Sequence, residues 1–222
     1  MYFQFEYKPY IAIIGDIVSS KKIPNRSDVQ NSLKTVLSDI NQVYNNDVAS
    51  TFMVTLGDEF QGLLLKGSHT IDIIDLIKRR MYPTKIRFGI GVGQITTDID
   101  PGSPIGADGP AYYSARKAIN EIKIAERKYM ESRPDILIDI SEYPSISELI
   151  NTIFALNTAV TSRWTERQRE IITAYLNCGG TQSDAAISLN IHQSNVQKAL
   201  SHANFYTYQR AVRNISRILS EI

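Results

Sequence analysis

The chain has 222 residues, which suits one large or two small domains, and 43% of them are hydrophobic, enough for a packed core. Its 24 basic and 23 acidic residues leave a net charge of +1, so overall charge gives no reason to expect a nucleic-acid or membrane partner. The single cysteine, Cys178, excludes an internal disulfide, and three scattered histidines do not suggest a zinc site. Because no leader-like segment or transmembrane-length run is present, we expect a cytoplasmic protein.

The first two thirds of the chain alternate between strand and helix patterns. Residues 10–18 are an isoleucine-rich run typical of a buried strand, and residues 28–44 carry apolar side chains at helical spacing. Residues 51–56 and 60–65 flank Gly57-Asp58, which predicts a β-hairpin. The patterns that follow predict a helix over 70–81, a strand over 85–95, a helix from about Ala111 to Glu131 and a strand over 135–140.

One face of the strand over 85–95 consists of small residues. Gly89, Gly91 and Gly93 alternate with larger apolar side chains, so they share a face. Three glycines on one face of a strand indicate that a helix or a ligand approaches the backbone closely.

The element order, β-α-β-β-α-β followed by α-β, predicts a ferredoxin-like α+β fold. In that fold the first and third strands are adjacent and antiparallel. Asp16 closes the first strand and Asp58 precedes the third. The topology therefore predicts that Asp16 and Asp58 meet, although they are far apart in the sequence.

Two carboxylates at adjacent strand ends suit Mg²⁺ (or Mn²⁺), which leaves the rest of its coordination shell to water and phosphate oxygens. The loop over residues 19–22 can offer backbone N–H groups and a basic side chain to a triphosphate, and Arg116 can add a cation. Each feature also has an ordinary explanation, because Gly-Asp is a common hairpin turn and Lys21 or Arg116 can be a solvated surface cation. Their convergence on one end of the sheet favours a Mg²⁺-nucleotide site.

After Pro144 the sequence pattern is helical. A connecting helix is predicted over 146–160, and Thr165 with Gln168 has the capping-box pattern. A short helix over 182–189, a turn, and a third helix capped by Ser194 follow the helix-turn-helix pattern. We therefore expect two domains, 1–143 and 144–222.

The helix-turn-helix region is mildly basic, since residues 161–222 hold seven Lys and Arg against four acids. Glutamine and asparagine read adenine edges, and lysine contacts phosphate or guanine. The DNA-binding residues predicted at the exposed start of the third helix are Gln193, Ser194, Asn195, Gln197 and Lys198. The alternative is a three-helix module that binds protein rather than DNA.

An apolar stripe near the C-terminus leaves two interpretations open. It consists of Tyr208, Ala211, Val212, Ile215, Ile218, Leu219 and Ile222. The stripe either packs on the N-terminal domain or forms the seam of a dimer, which helix-turn-helix proteins need to bind two half-sites.

Four segments of the N-terminal region resemble nucleotide cyclases. IIGDIVSSK and LGDEF resemble the first metal-binding strand and the metal hairpin of class III nucleotide cyclases and GGDEF diguanylate cyclases. RFGIGVGQI is similar to a later strand of the same palm fold, and ADGPAYYSARKAI is similar to a helix pattern of GGDEF domains. The segment from Trp164 to Leu200 is similar to the helix-turn-helix of sigma-factor region 4. Over its whole length, the chain resembles the SatD family.

The resemblance implies roles for individual residues. Asp16, Asp58 and the backbone carbonyl of Ile17 would bind the metal, and Glu59 matches the acid after the metal residue. The implied nucleotide-binding residues are Ser19, Ser20, Lys21, Asn25 and Arg116. For an enzyme, the implied catalytic residues are Asp16, Asp58, Glu59 and Arg116.

Three departures from the cyclase pattern limit what the resemblance implies. Pro24 stands where GGDEF domains have a base-pocket asparagine, with Asn25 one place away. Tyr112 replaces the asparagine that cyclases use in the transition state, and Leu56 replaces the first glycine of the hairpin signature. Binding of a nucleoside triphosphate is therefore implied, whereas guanine selectivity and cyclisation are not.

The sequence thus predicts a cyclase-like palm that senses a nucleotide with Mg²⁺ and a helix-turn-helix that binds double-stranded DNA, in a homodimeric transcription regulator without a membrane partner. One alternative is an active nucleotidyl cyclase or oligonucleotide synthase with the helical domain serving assembly or control. The other is a catalytically inert dimerisation scaffold.

Overall fold

The computed structural model describes residues 2–128 and 134–222. The strands are β1 (Tyr10–Ile17), β2 (Val48–Leu56), β3 (Glu59–Leu64), β4 (Ile86–Gly93) and β5 (Ile136–Ile140). The helices are α1 (Arg26–Val43), α2 (Thr70–Met81), α3 (Pro110–Lys128), α4 (Pro144–Thr161), α5 (Glu166–Asn177), α6 (Gln182–Ser188), α7 (Gln193–His202) and α8 (Phe205–Leu219). The predicted element order is confirmed, while the predicted end of the third helix at Glu131 lies outside the described residues.

The strands form one five-stranded sheet with the order β2-β3-β1-β4-β5. β1 is central and antiparallel to both β3 and β4, and β5 extends the sheet parallel to β4. This is the ferredoxin-like arrangement predicted from the element order, with one strand added. We call residues 10–140 the palm.

The two faces of the sheet carry different helices because side chains alternate along each strand. Helices α1 and α2 cover the face that carries Ile11, Ile13 and Phe60, all buried in one large apolar core. Helix α3 covers the other face, where Ala12 and Ile14 belong to a smaller core. Along β1, odd-numbered residues therefore face α1 and α2, and even-numbered residues face α3.

The glycine face of β4 accommodates helix α3. A Cβ atom added to Gly91 would overlap the carbonyl oxygen of Ala111, and one added to Gly89 would overlap that of Ala115. Of the two occupants predicted for this face, the helix is therefore the one observed.

We expect Gly91→Ala to lower the free energy of unfolding by about 1–3 kcal/mol, because the added methyl group must push α3 away from the sheet. Urea unfolding of the variant measures this. Gly102→Ala is the control, because its Cβ would have only an ordinary contact at 3.4 Å, and it should change stability by no more than about 0.5 kcal/mol. Equal stability of the two variants would contradict the close packing of α3.

Helices α5, α6 and α7 form a three-helix unit with its own core, which includes Ile172, Ala185, Val196 and Leu200. The predicted capping box at the start of α5 is confirmed, since Thr165 and Gln168 exchange side-chain and backbone hydrogen bonds. The expected cap at Ser194 is wrong by two positions. Helix α7 begins at Gln193, and His192 is its N-cap in extended conformation.

The C-terminal apolar stripe packs on the palm. Ile215 and Leu219 are fully buried in the large core beneath α2, and Ile150 and Phe154 of α4 enter the same core. The hydroxyl group of Tyr208 donates to both carboxylate oxygens of Asp75 on α2, each at 3.0 Å.

The predicted domain boundary at residues 143 and 144 stays a prediction. Within the described residues, no helix is long and apolar enough to cross a membrane.

Candidate functional site

The backbone brings Asp16 and Asp58 together as predicted. The N–H group of Ile17 donates to the carbonyl oxygen of Asp58 at 3.3 Å, which joins the end of β1 to the hairpin turn. The residues paired with Asp16 across the sheet are Glu59 on β3 and Arg87 on β4. The strand ends therefore gather three acids and one arginine.

The side chain of Asp16 lies on the α3 face and is bound by two cations. Arg87 donates to one of its carboxylate oxygens, and Lys123 of α3 lies 3.0 Å from the other. Arg87 also donates from Nε to Glu126 at 2.8 Å. The hydrogen bond to Glu126 and the charges of Glu126 and Asp16 raise the pKa of Arg87, which therefore stays cationic.

Glu59 shares this face with Asp16. Directly opposed side chains of antiparallel strands have Cβ atoms about 4.5–5.5 Å apart, and like charges there repel. Arg116 of α3 donates to Glu59 at 2.5 Å, so each acid has a basic partner from α3. The carboxylate that shares a face with Asp16 is thus Glu59.

Asp58 turns toward the opposite face. Arg26 at the start of α1 donates to its two carboxylate oxygens at 3.0 and 3.1 Å, and Gln30 donates at 3.3 Å. Burial alone would raise the pKa of Asp58, but hydrogen bonds from Ser20, Arg26 and Gln30 outweigh it, and the pKa is lowered.

A carboxylate whose pKa is depressed by folding stabilises the protein above its unfolded pKa, and this contribution is lost as pH falls through the folded value. We expect Asp58→Asn to lower the free energy of unfolding at pH 7, and the difference from the wild type to shrink as pH falls below about 4. Urea unfolding across pH 2.5–7 measures it, with the exposed Asp98→Asn as control. A difference that does not depend on pH would contradict the assignment.

The loop after β1 is a tight turn. Ser19 has a left-handed backbone with φ 54°, and residues Ser20–Lys22 form one turn of 3₁₀ helix. Ser20 is buried, whereas Lys21 and Asn25 are exposed. Of the predicted nucleotide-binding residues on this loop, Ser20 contributes to the environment of Asp58, and Lys21 is free to face solvent.

The donor atoms suit Mg²⁺ chemically, but in this structure cationic side chains hold the carboxylates. Asp16 and Asp58 face opposite sides of the sheet, and each carboxylate is bound by a cationic side chain. Among residues 2–128 and 134–222, no group of three or more His, Cys, Asp or Glu is placed to hold a metal ion. The metal-binding roles of Asp16, Ile17 and Asp58 stay predictions.

The second candidate surface is the start of α7. Gln193, Ser194, Asn195, Gln197 and Lys198 are all exposed, and we call them the α7 surface. Val196 and Leu200, on the other side of the helix, are fully buried. Gln193 donates to Gln182, which in turn donates to the hydroxyl group of Tyr206 at 2.7 Å, so α6, α7 and α8 are linked at this end.

The sequence profile of the SatD family matches residues 10–219. The chain belongs to the SatD family. No curated protein sequence matches it.

The solved structures that resemble this SatD-family chain include two cyclases and one regulator. A bacterial light-regulated adenylyl cyclase is 15% identical with a TM-score of 0.42 over 59% of this chain and 74% of that one. A guanylate cyclase domain from Catenaria anguillulae in complex with GTP is 18% identical with a TM-score of 0.36 over 51% and 73%. A regulator of polyketide synthase expression from Bifidobacterium adolescentis is 11% identical with a TM-score of 0.30 over 96% and 86%. Likenesses this weak carry no argument about activity.

Sequence reasoning missed Arg26, Arg87 and Lys123, which hold the carboxylates in this SatD-family structure. Arg87 was detectable, because it lies on the glycine face of β4 and pairs with Asp16 in the antiparallel register. Lys123 follows Arg116 by seven residues, which is two helical turns and the same face of α3. No sequence pattern indicated Arg26, because its contact with Asp58 depends on where α1 begins.

Proposed function

We propose that this SatD-family protein is a DNA-binding transcription regulator whose palm senses a nucleotide. The observation that carries the proposal is the α7 surface, where five polar side chains are exposed on a helix anchored by buried Val196 and Leu200. A helix of ten residues is about 15 Å long and fits the major groove. The groups on it are the amides, hydroxyl and ammonium that contact base edges and phosphates.

In a helix-turn-helix, the other helices support the one that contacts DNA. Helices α5 and α6 pack against α7 and leave its first turns uncovered. Asn195, Gln197 and Lys198 have exposed side chains, whereas Gln193 is already engaged by Gln182. We therefore infer that Asn195 and Gln197 carry base contacts and that Lys198 carries a phosphate or guanine contact. A homodimer would present two such helices to a pair of half-sites.

Fluorescence anisotropy with a random-sequence duplex tests DNA binding. Neutralising phosphates releases counterions, so affinity falls as salt rises, by roughly a hundredfold between 50 and 200 mM for about four phosphate contacts. We expect binding at 50 mM salt with this dependence. Absence of binding at 50 mM salt would favour a protein-interaction module instead.

A second candidate is Mg²⁺-dependent binding of a nucleoside triphosphate at the end of β1. It is favoured because Asp16, Asp58 and Glu59 lie at the same strand ends as Arg116. The loop after β1, which carries Lys21, is next to them. The cations that now hold these carboxylates would have to move for a metal to bind. Lys21 and Arg116 are then the side chains available to the phosphates.

A thermal-shift screen of nucleoside triphosphates with and without Mg²⁺ or Mn²⁺ tests this second candidate. A ligand at about a hundred times its Kd adds roughly 2.7 kcal/mol, or roughly 5–10 °C for a protein of this size. We expect a metal-dependent shift that Asp16→Asn and Asp58→Asn both lose and that exposed Asp28→Asn keeps. No shift with any nucleotide would contradict the site. Mass spectrometry of the bound nucleotide would distinguish a sensor from an active cyclase or synthase.

A further inference from the structure

A large cavity lies between the palm and the helical region, away from the α7 surface. Its volume is about 960 Å³, near the upper end of the range of roughly 300–1,000 Å³ typical of ligand pockets. The palm contributes the C-terminal half of α2 and the start of β4, while the other wall comes from the end of α4, from α5 and from the residues that flank α7. Both parts of the protein therefore contact whatever occupies it.

Aromatic rings form much of the apolar wall. Trp164 packs edge-on against Tyr208 with ring centroids 5.2 Å apart, and both line the cavity with Phe205. Tyr82 lies on the palm side, where the guanidinium of Arg169 is 4.9 Å from its ring centroid and 5.6 Å from that of Trp164. Such rings offer apolar surface and stacking to a ligand with a flat or aliphatic body.

Among the buried side-chain nitrogen and oxygen atoms on the described part of the cavity wall, one lacks a hydrogen-bond partner. Asp75 accepts hydrogen bonds from Tyr208, and Asp135 is paired with Lys78 at 2.6 Å. Arg79 uses one terminal nitrogen to donate to Asn177 at 3.3 Å, but its Nε is buried and has no hydrogen-bond partner among residues 2–128 and 134–222. An unpaired buried donor on a cation is unfavourable, and an acceptor on a ligand would relieve it.

We propose that this cavity binds a small organic anion with a large apolar body, whose anionic group accepts hydrogen bonds from Arg79. Asp75 and Asp135 already have donors, whereas the Nε of Arg79 is an unpaired donor that an anion can use. Rings of Trp164, Tyr208 and Tyr82 then surround the apolar body. The proposal does not depend on DNA binding, because no residue of the α7 surface lines the cavity, whereas Arg87, which binds Asp16, lies on its wall.

The aromatic sulfonate 1-anilinonaphthalene-8-sulfonate is a suitable probe. Trp164 is the only tryptophan of the chain and lines the cavity, so its emission responds to a probe bound there. We expect saturable binding of one probe per chain in calorimetry, accompanied by quenching of Trp164 emission. Decanoate, which has an aliphatic body and a carboxylate, should displace the probe.

Three variants of the full chain distinguish this cavity from other surfaces. Arg79→Gln should weaken probe binding by roughly ten- to hundredfold, the value of a hydrogen bond to a charged group. Arg80→Gln removes the next cation of α2, which is paired with Asp39 and does not line the cavity, and should change the Kd by less than about twofold. Thr173→Phe, which fills part of the cavity while keeping Arg79, should also weaken binding.

The proposal is overturned if no saturable binding is seen with the folded protein. It is equally overturned if Arg79→Gln and Arg80→Gln bind the probe alike. Should Arg79→Gln fail to fold, Thr173→Phe decides, and unchanged binding by this variant would place the probe elsewhere.

Discussion

Leu219→Ala is expected to lower the free energy of unfolding by about 2–5 kcal/mol. Leu219 is fully buried in the core beneath α2, together with Ile215. Its backbone carbonyl lies so close to Gly67, at the entry to α2, that a Cβ there would overlap it. Truncating the side chain leaves a cavity at a place where α8 and the palm are in tight contact, and the close packing prevents the site from collapsing.

Urea unfolding at two protein concentrations measures this effect and also tests the packing of the C-terminal stripe on the palm against its use as a dimer seam. Packing on the palm predicts a loss that does not depend on concentration. A dimer seam predicts that stability rises with concentration in the wild type and loses that dependence in the variant. Leu156→Ala is the matched control, because this leucine of α4 is 63% exposed and its truncation should cost no more than about 0.5 kcal/mol.

The second large effect is expected on DNA binding. Replacing Gln197 and Lys198 together by alanine removes one base-reading amide and one cation from the α7 surface. Loss of a good base contact costs about 1–3 kcal/mol, and loss of a phosphate contact reduces the slope of log affinity against log salt by about one. We expect at least a tenfold weaker affinity for a preferred duplex and a shallower salt dependence, measured by fluorescence anisotropy.

The matched control for this variant is Asn31→Ala with Lys34→Ala on α1. It also removes one amide and one cation, and both residues are exposed on the palm. DNA affinity and salt slope should match those of the wild type. Equal loss in both double variants would show that overall charge, rather than the α7 surface, determines binding.

The sheet was predictable because its signals are local and agree with one another. Residue alternation, glycine spacing and the Gly57-Asp58 turn specify strands and their order, and the antiparallel register then places Asp16 beside the hairpin. The same register does not determine toward which face of the sheet the side chain of a turn residue points. Glu59 pairs with Asp16 and must share its face, whereas Asp58 precedes the strand and turns toward α1.

Contacts between the palm and the helical region were less predictable. An apolar stripe fits a palm core and a dimer seam equally well, because both bury the same residues. The direction of α8 is set by the break at Asn204, whose φ of 51° separates it from α7. Helical periodicity alone does not reveal such a turn, and the cavity beside Trp164 depends on it.

Selection from a pool of random duplexes tests the central claim most directly. Folded protein is incubated with the pool at moderate salt, bound DNA is recovered and sequenced, and the Gln197→Ala/Lys198→Ala variant is carried through the same rounds. The account predicts that the wild type enriches a base motif and that the variant enriches it weakly or not at all. A pool that stays random with the wild type, or the same motif at the same enrichment with the variant, would contradict a DNA-reading role for α7.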